Sequence, residues 1–444
     1  MMKKINEKYA DIGMKIPSIL MPKDDVELKT WSVVACDQYT SEPEYWRDIE
    51  KEVGGSPSTL NLVLPEVYLE DPDKENRIEK INQTMEQYLS SGVLMEHGPG
   101  FFLVQRQTPD SPDRWGLVAA LDLEGYDYSK GSTSLIRATE GTILDRIPPR
   151  KHIRRNAPIE LPHILVLIDD PDKTVIEPLS SRPDSFELVY DFDLMKGGGH
   201  LRGYKIDGQD DLEGIADALS VLADPSRFKD RYDVQDVLLF AMGDGNHSLA
   251  TAKSIWEDLK KENPDNPSIM QHPSRWALVE IENIYDQGLI FEPIHRVVFN
   301  SDFESFNAQL KELGTVSFSP RESVADIMND VESSPERHVI GYVDSKSTGV
   351  FTVSMPAATI SAGTAQSAID ALLNTSGASV DYIHGSGTTE KLGRQNGNFG
   401  VFLPPLDKSD FFMTVVRDGS LPRKTFSMGR ANEKRYYLEA RKIK

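Results

Sequence analysis

One cysteine, Cys36, occurs in 444 residues. A single thiol allows no internal disulfide and no cysteine-rich zinc or iron–sulfur centre. No run reaches the roughly 18 apolar residues that a membrane span needs, so none is expected. The opening segment MMKKINEKYADIGMKI carries charges but no apolar core, so no signal peptide is expected. Positive charge is the scarce sign: 49 Lys+Arg stand against 70 Asp+Glu, a formal net charge of −21. That balance gives weak attraction to a phosphodiester backbone, so a nucleic-acid partner is disfavoured. Several motifs are missing as well. The glycine-rich stretches KGGGHLRG (196–203) and HGSGTTEK (384–391) lack the Gly-Lys-Ser/Thr of a Walker loop. No Gly-x-Gly-x-x-Gly follows a strand, and no His-Glu-x-x-His or Gly-x-Ser-x-Gly exists. The nine histidines show no zinc spacing. No haem, flavin or iron–sulfur cluster is expected.

What is present suits a folded core: 39% of residues are hydrophobic and 8% aromatic. A soluble cytoplasmic protein is expected, with self-association into a homo-oligomer left open. Strand-like runs enriched in β-branched and aromatic residues fall at 101–107, 115–123, 163–170, 186–194, 237–242 and 276–283. Further runs fall at 338–343, 350–355, 399–403 and 411–416. Helical spacing of apolar residues recurs at 75–91, 212–223, 248–261, 303–313, 323–331 and 365–374. Hairpin-like neighbours alternate with helices, so the fold expected is α+β (mixed α/β), multi-lobed, with mixed sheets and flanking helices. Lobes are expected at 1–195, 196–300 and 301–444. Gly/Pro/Asp-rich loops are expected at 108–113, 196–203 and 263–267.

Charge is unevenly placed. Residues 417–444 hold nine Lys/Arg against three Asp/Glu, and 146–155 (RIPPRKHIRR) holds five Lys/Arg, one His and no acid. Such clusters either hold a small anion or pair with the protein's own carboxylates.

The strongest local signal is VLLFAMGDGNHSLATAKSIW (237–256). An apolar strand runs through Gly243-Asp244-Gly245-Asn246-His247-Ser248 directly into an amphipathic helix. Glycine permits a sharp turn and a close backbone approach. The first helical N–H groups lack internal partners and carry partial positive charge, so a phosphate or carboxylate fits there. Gly245, Asn246 and Ser248 would form that cradle, and Asp244, Asn246 or Ser248 would cap the helix. His247 is the candidate proton carrier, and Asp244 would orient it or hold a metal. The plain alternative is an ordinary capped strand–turn–helix corner.

Weaker signals lie elsewhere. WSVVACDQYTSEPEYW (31–46) has an apolar strand, then Asp37, then Ser41 and Glu44 in a capping-box pattern. LIRATEGTILDRIPPRKH (135–152) carries Arg137, Glu140, Asp145 and Arg146. EPIHRVV (292–298) places His295 and Arg296 together, able to face an anion or solvent.

The order of segments resembles the family known as domain of unknown function 1015. SVVACDQYT, LIRATEGTILDRIPP, HILVLIDDPD, GDGNHSLATA and FEPIHRVV carry the likeness, as does the tail LPRKTFSMGRANEKRYYLEARKI. The family's corner reads roughly Asp-Gly-His-His-Arg. This chain keeps Asp244, Gly245 and His247 but has Asn246 and Ser248 at the other two places. The Asp-Gly-x-His corner is also similar to the ParB/sulfiredoxin-like superfamily, which includes kinases acting on free serine. Sulfiredoxin places a catalytic cysteine there, where this chain has Asn246. The resemblance implies phosphoryl transfer between a nucleotide and a small hydroxylated, anionic metabolite, with serine or phosphoserine as the leading candidate. It implies Mg²⁺ with the nucleotide, held by Asp37 or Asp244, and Arg137, Arg146 and Arg296 (with His295) stabilising the transferring charge. A phosphatase acting on a small phosphomonoester and a non-catalytic anion-binding protein are the alternatives.

Overall fold

The computed structural model describes residues 2–108, 111–333 and 338–444. The chain divides into two compact units, Met1–Ile290 with Gly429–Lys444, and Phe291–Met428. The second is therefore inserted in the sequence of the first.

The first unit is built on a ten-stranded mixed sheet. Its strands run in the order Glu187–Asp193, His200–Ile206, Phe101–Thr108, Ser111–Asp122, Trp276–Asn283, Leu165–Ile168, Phe240–Asp244, Ile136–Arg137 and Tyr126–Asp127, with Met14–Lys15 pairing off Ser111–Asp122. Trp276–Asn283 runs parallel to Leu165–Ile168, and Phe240–Asp244 runs parallel to Ile136–Arg137. The hairpin expected between the 101–107 and 115–123 runs is present. Pro109 and Asp110, in the loop expected there, lie outside the described residues.

Successive side chains on a strand point to opposite faces. Phe101 and Leu103 thus join one apolar cluster with helices Gln209–Leu222 and Asn246–Glu262. Phe102 and Val104 join another with helices Pro43–Val53 and Lys74–Ser90. Both faces are covered, which is why WGLVAALDL reads as an unbroken apolar run. Each such side chain contributes about 1.5–3 kcal/mol by leaving water.

The second unit carries a seven-stranded antiparallel sheet in the order Thr315–Pro320, Thr348–Ser354, His338–Val343, Asn398–Phe402, Phe291–Phe299 and Ser379–His384, with Phe426–Met428 pairing the start of Phe291–Phe299. The α+β expectation is met in both units.

Several expectations are corrected. The proposed boundary at 195/196 falls inside a hairpin, with Asp193 paired to His200 in one sheet, and two compact units replace the three expected lobes. The expected 196–203 loop is a turn at Met195–Gly197 followed by a strand from His200. The run 411–416 is helical, within Lys408–Asp418. Asp407 caps it by accepting from the Ser409 N–H, and Phe411, Phe412 and Val415 bury on one face, so capping and 3.6-residue spacing override β propensity. Residues 31–46 hold an isolated bridge, Val34 with Tyr436, rather than a strand. Ser41 and Glu44 form no capping box: the helix starts at Pro43 with Glu42 at its cap, and Glu44 pairs with Arg47. Among the described residues no helix is long and apolar enough to cross a membrane.

Candidate functional site

The corner lies in the first unit, at the end of a strand flanked on both sides. Phe240–Asp244 pairs with Leu165–Ile168 and Ile136–Arg137, and its register slips between Met242 and Asp244. Such an irregularity re-aims the side chains that follow. Gly245 has φ +80°, and a Cβ there would lie 3.1 Å from the Ile164 Cα, so both conformation and space favour glycine. The helix Asn246–Glu262 follows, anchored by Leu249, Ala252, Ile255 and Trp256. No side chain caps it, contrary to the expectation for Asp244, Asn246 or Ser248. Each of the three is otherwise placed.

Asp244 Oδ1 accepts the Gly245 N–H at 2.9 Å and Oδ2 lies 3.0 Å from Lys434 Nζ. Burial works against the carboxylate, but the ammonium and the N–H outweigh it and hold Asp244 below its ordinary range. The Asn246 side-chain oxygen is buried with no hydrogen-bond partner. Ser248 Oγ is hydrogen-bonded to His163 Nε2 at 2.8 Å, and His163 Nδ1 to Tyr437 Oη at 3.1 Å. Tyr437 Oη also accepts the Cys36 N–H at 3.1 Å.

His247 is half-buried, and its Nε2 accepts from the Ile143 N–H at 3.3 Å. Ile143 ends the segment that borders the corner strand, where the Thr139 hydroxyl donates to the Met242 carbonyl at 2.6 Å. The Thr142 hydroxyl in that segment is buried without a partner. Asp37 is half-buried and accepts from Gln38 Nε2 at 3.0 Å. Its charge reaches the Cys36–Tyr437 pair: burial first, and then Asp37, push the Cys36 thiol up to about 12. Cys36 is therefore a poor nucleophile at neutral pH. A cavity of roughly 150 Å³ opens beside Ser248, His163, Tyr437 and Cys36.

The cationic clusters are largely spent on the protein's own acids. Arg150 pairs with Glu66, Lys151 with Asp258, Arg154 with Glu160 and Arg155 with Glu262. In the tail, Arg435 pairs with Glu280 and Glu439, and Arg441 with Glu160. Arg137, Arg296 and His295, expected to face an anion, are turned to the protein's own groups instead. Arg137 is buried, donating to the carbonyls of Ser134, Asp236 and Val237 at 2.6, 2.8 and 3.1 Å. Arg146 is exposed in a 3₁₀ turn. Arg296 is fully buried in the second unit on the carbonyls of Ile294 and Arg423, on Gln366 and over the Tyr382 ring. His295 is buried beside it and accepts the Leu403 N–H at 3.2 Å.

Sequence reasoning therefore missed Lys434, His163 and Tyr437. The signal for Lys434 was the cationic tail, and for His163 its place just before a strand of the same sheet; Tyr437 had none. Among the described residues no group of three His, Cys, Asp or Glu side chains is placed to hold a metal. With both Asp244 oxygens engaged, one of them by an ammonium, Asp244 does not fit a resident Mg²⁺.

A family model matches residues 18–372, described as protein of unknown function (DUF1015). The chain belongs to that family. No curated protein matches it in sequence. Among solved structures it is similar to a conserved hypothetical protein from Pyrococcus furiosus, with 11% identity, a TM-score of 0.33, and 72% of this chain and 90% of that one covered. It is also similar to a free serine kinase in complex with AMP, with 10% identity, a TM-score of 0.35, and coverage of 77% and 94%. A third is SbnI with a C-terminal truncation, from Staphylococcus aureus, with 11% identity, a TM-score of 0.35, and coverage of 70% and 83%.

Proposed function

We propose that the Asp244–Ser248 corner binds a small anionic metabolite and transfers a phosphoryl group between it and a nucleotide. The observation that carries this reading is the placement of Lys434 and His247 at the start of a seventeen-residue helix. A helix start attracts a phosphate, an ammonium screens it, and an imidazole moves the substrate proton. Asp244 holds Lys434 in place. Mg²⁺ enters with the nucleotide phosphates rather than as a resident ion. Serine or phosphoserine is the first metabolite to test.

The second reading is a non-catalytic anion-binding protein. It is favoured by the engagement of Arg137, Arg150 and Arg154 with other groups, which leaves few cations to stabilise a transferring phosphoryl group.

Thermal unfolding with phosphate, phosphoserine, AMP, ADP and ATP, with and without Mg²⁺, tests both. Phosphate compounds are expected to raise the midpoint, and Lys434→Ala is expected to abolish the rise. Turnover of serine with ATP that falls at least about 100-fold in His247→Ala supports transfer. Binding without turnover supports the second reading. No shift with any phosphate compound removes both.

A further inference from the structure

We propose that Ser248 is the nucleophile of an acyl-transfer site, with His163 as its base, acting on esters of a small apolar acyl group. The proposal goes beyond phosphoryl transfer and needs no nucleotide.

Three features meet at Ser248. Its Oγ lies 2.8 Å from His163 Nε2, the reach a nucleophile–base pair requires. A third group then orients the base. Tyr437 Oη faces Nδ1 at 3.1 Å and already accepts the Cys36 N–H. In the proposed arrangement Oη accepts from Nδ1–H as well, which turns the Nε2 lone pair toward Ser248. An edge-to-face contact between the His163 and Tyr437 rings, 5.5 Å between centroids at 82°, fixes the imidazole plane.

The second feature is the space beside the pair. The cavity of roughly 150 Å³ has Ser248 and His163 on its wall, with Leu64, Met85, Ile153 and Leu278 among its apolar lining. That volume admits an acyl chain of a few carbons. The ion pair in the wall, Arg150 with Glu66, is closed on itself, so the cavity meets an acyl chain with an apolar lining.

The third is the helix. Ser248 is the third residue of Asn246–Glu262, so it lies in the first turn, at the positive end of the helix dipole, which favours a developing oxyanion.

The reaction balances with water as the only co-reactant. Ser248 Oγ bonds to the acyl carbon as its proton passes to His163 Nε2. The bond from carbon to the leaving alkoxide breaks, and His163 returns the proton to that oxygen. Water then attacks the acyl-enzyme through the same base, releasing the carboxylic acid and restoring Ser248.

The test is treatment of the full chain with an alkyl fluorophosphonate in the absence of nucleotide, followed by intact mass and peptide mapping. One adduct is expected, on the peptide carrying Ser248. It is expected to vanish in Ser248→Ala and to form at least about 100-fold more slowly in His163→Gln, both checked for an unchanged melting temperature. The p-nitrophenyl esters are expected to be hydrolysed with acetate and butyrate ahead of octanoate, and Met85→Trp is expected to narrow the range toward acetate. No adduct on the wild-type chain, an adduct mapped elsewhere, or no ester hydrolysis overturns the proposal. Each of these outcomes is read on the wild-type chain and so does not depend on whether a variant folds. Because no phosphate ligand is present, the result stands apart from that of the phosphoryl-transfer reading.

Discussion

The Asp244–Ser248 corner and the His295–Arg296 pair each put a histidine next to a strand and a candidate anion-binding side chain. Their fates differ. The corner lies where a strand ends and a helix begins, and its residues stay half-buried. His295 and Arg296 lie within a strand paired to Ser379–His384 on one side and Asn398–Phe402 on the other. There the backbone is committed to the sheet, and the side chains are covered by the unit's own helices and loops. A histidine becomes available for chemistry at an element's end and becomes packing in its middle.

That contrast can be broken by mutation. The largest effect is expected for Arg296→Ala, which empties the space beside Tyr382 and removes the donor to the Ile294 and Arg423 carbonyls. A loss of roughly 3–5 kcal/mol in denaturant unfolding of the second unit is expected; a loss under about 1 kcal/mol would place Arg296 among exposed, replaceable cations.

His295 provides the next test. Burial, with help from the Arg296 charge, lowers its pKa from 6.5 to about 4. The folded chain then refuses a proton that the unfolded chain accepts. Stability is fully present above about pH 6.5 and falls as pH drops toward 4, by roughly 3 kcal/mol in all. Unfolding curves between pH 7 and 4 check this, and His295→Gln is expected to flatten the slope.

At the corner, Lys434→Met leaves the Asp244 carboxylate without its ammonium. A cost of about 1–3 kcal/mol is expected, together with a rise in the Asp244 pKa visible by carboxylate NMR titration. An unchanged pKa would remove Lys434 from the site. Smallest of all, exposed Arg146→Ala is expected to change stability by less than about 0.5 kcal/mol in the same assay.

Much of the corner was legible because its signals are local. The apolar run, the two glycines and the amphipathic spacing after Asn246 each dictate backbone shape without help from distant residues. The stretches LIRATEGT and HILVLIDD also proved neighbours of that strand. The helix at Lys408–Asp418 was misread because Phe-Phe-x-Thr-Val-Val favours a strand by composition, whereas Asp407 was the overlooked start signal. The pairing of Asp244 with Lys434 spans 190 positions, and that of Tyr437 with His163 spans 274. No periodicity carries such information. Likewise nothing in RIPPRKHIRR announced that Glu66, Asp258, Glu160 and Glu262 would consume its charges.

The interrupted sequence of the first unit has a temporal consequence. Lys434 and Tyr437 belong to Gly429–Lys444, which leaves the ribosome only after the whole of Phe291–Met428. Until then the nascent polypeptide holds an acidic Asp244 with no counter-charge and a His163 with nothing to steer it. A chain cut before Gly429 would therefore lack both the ammonium beside Asp244 and the hydroxyl beside His163.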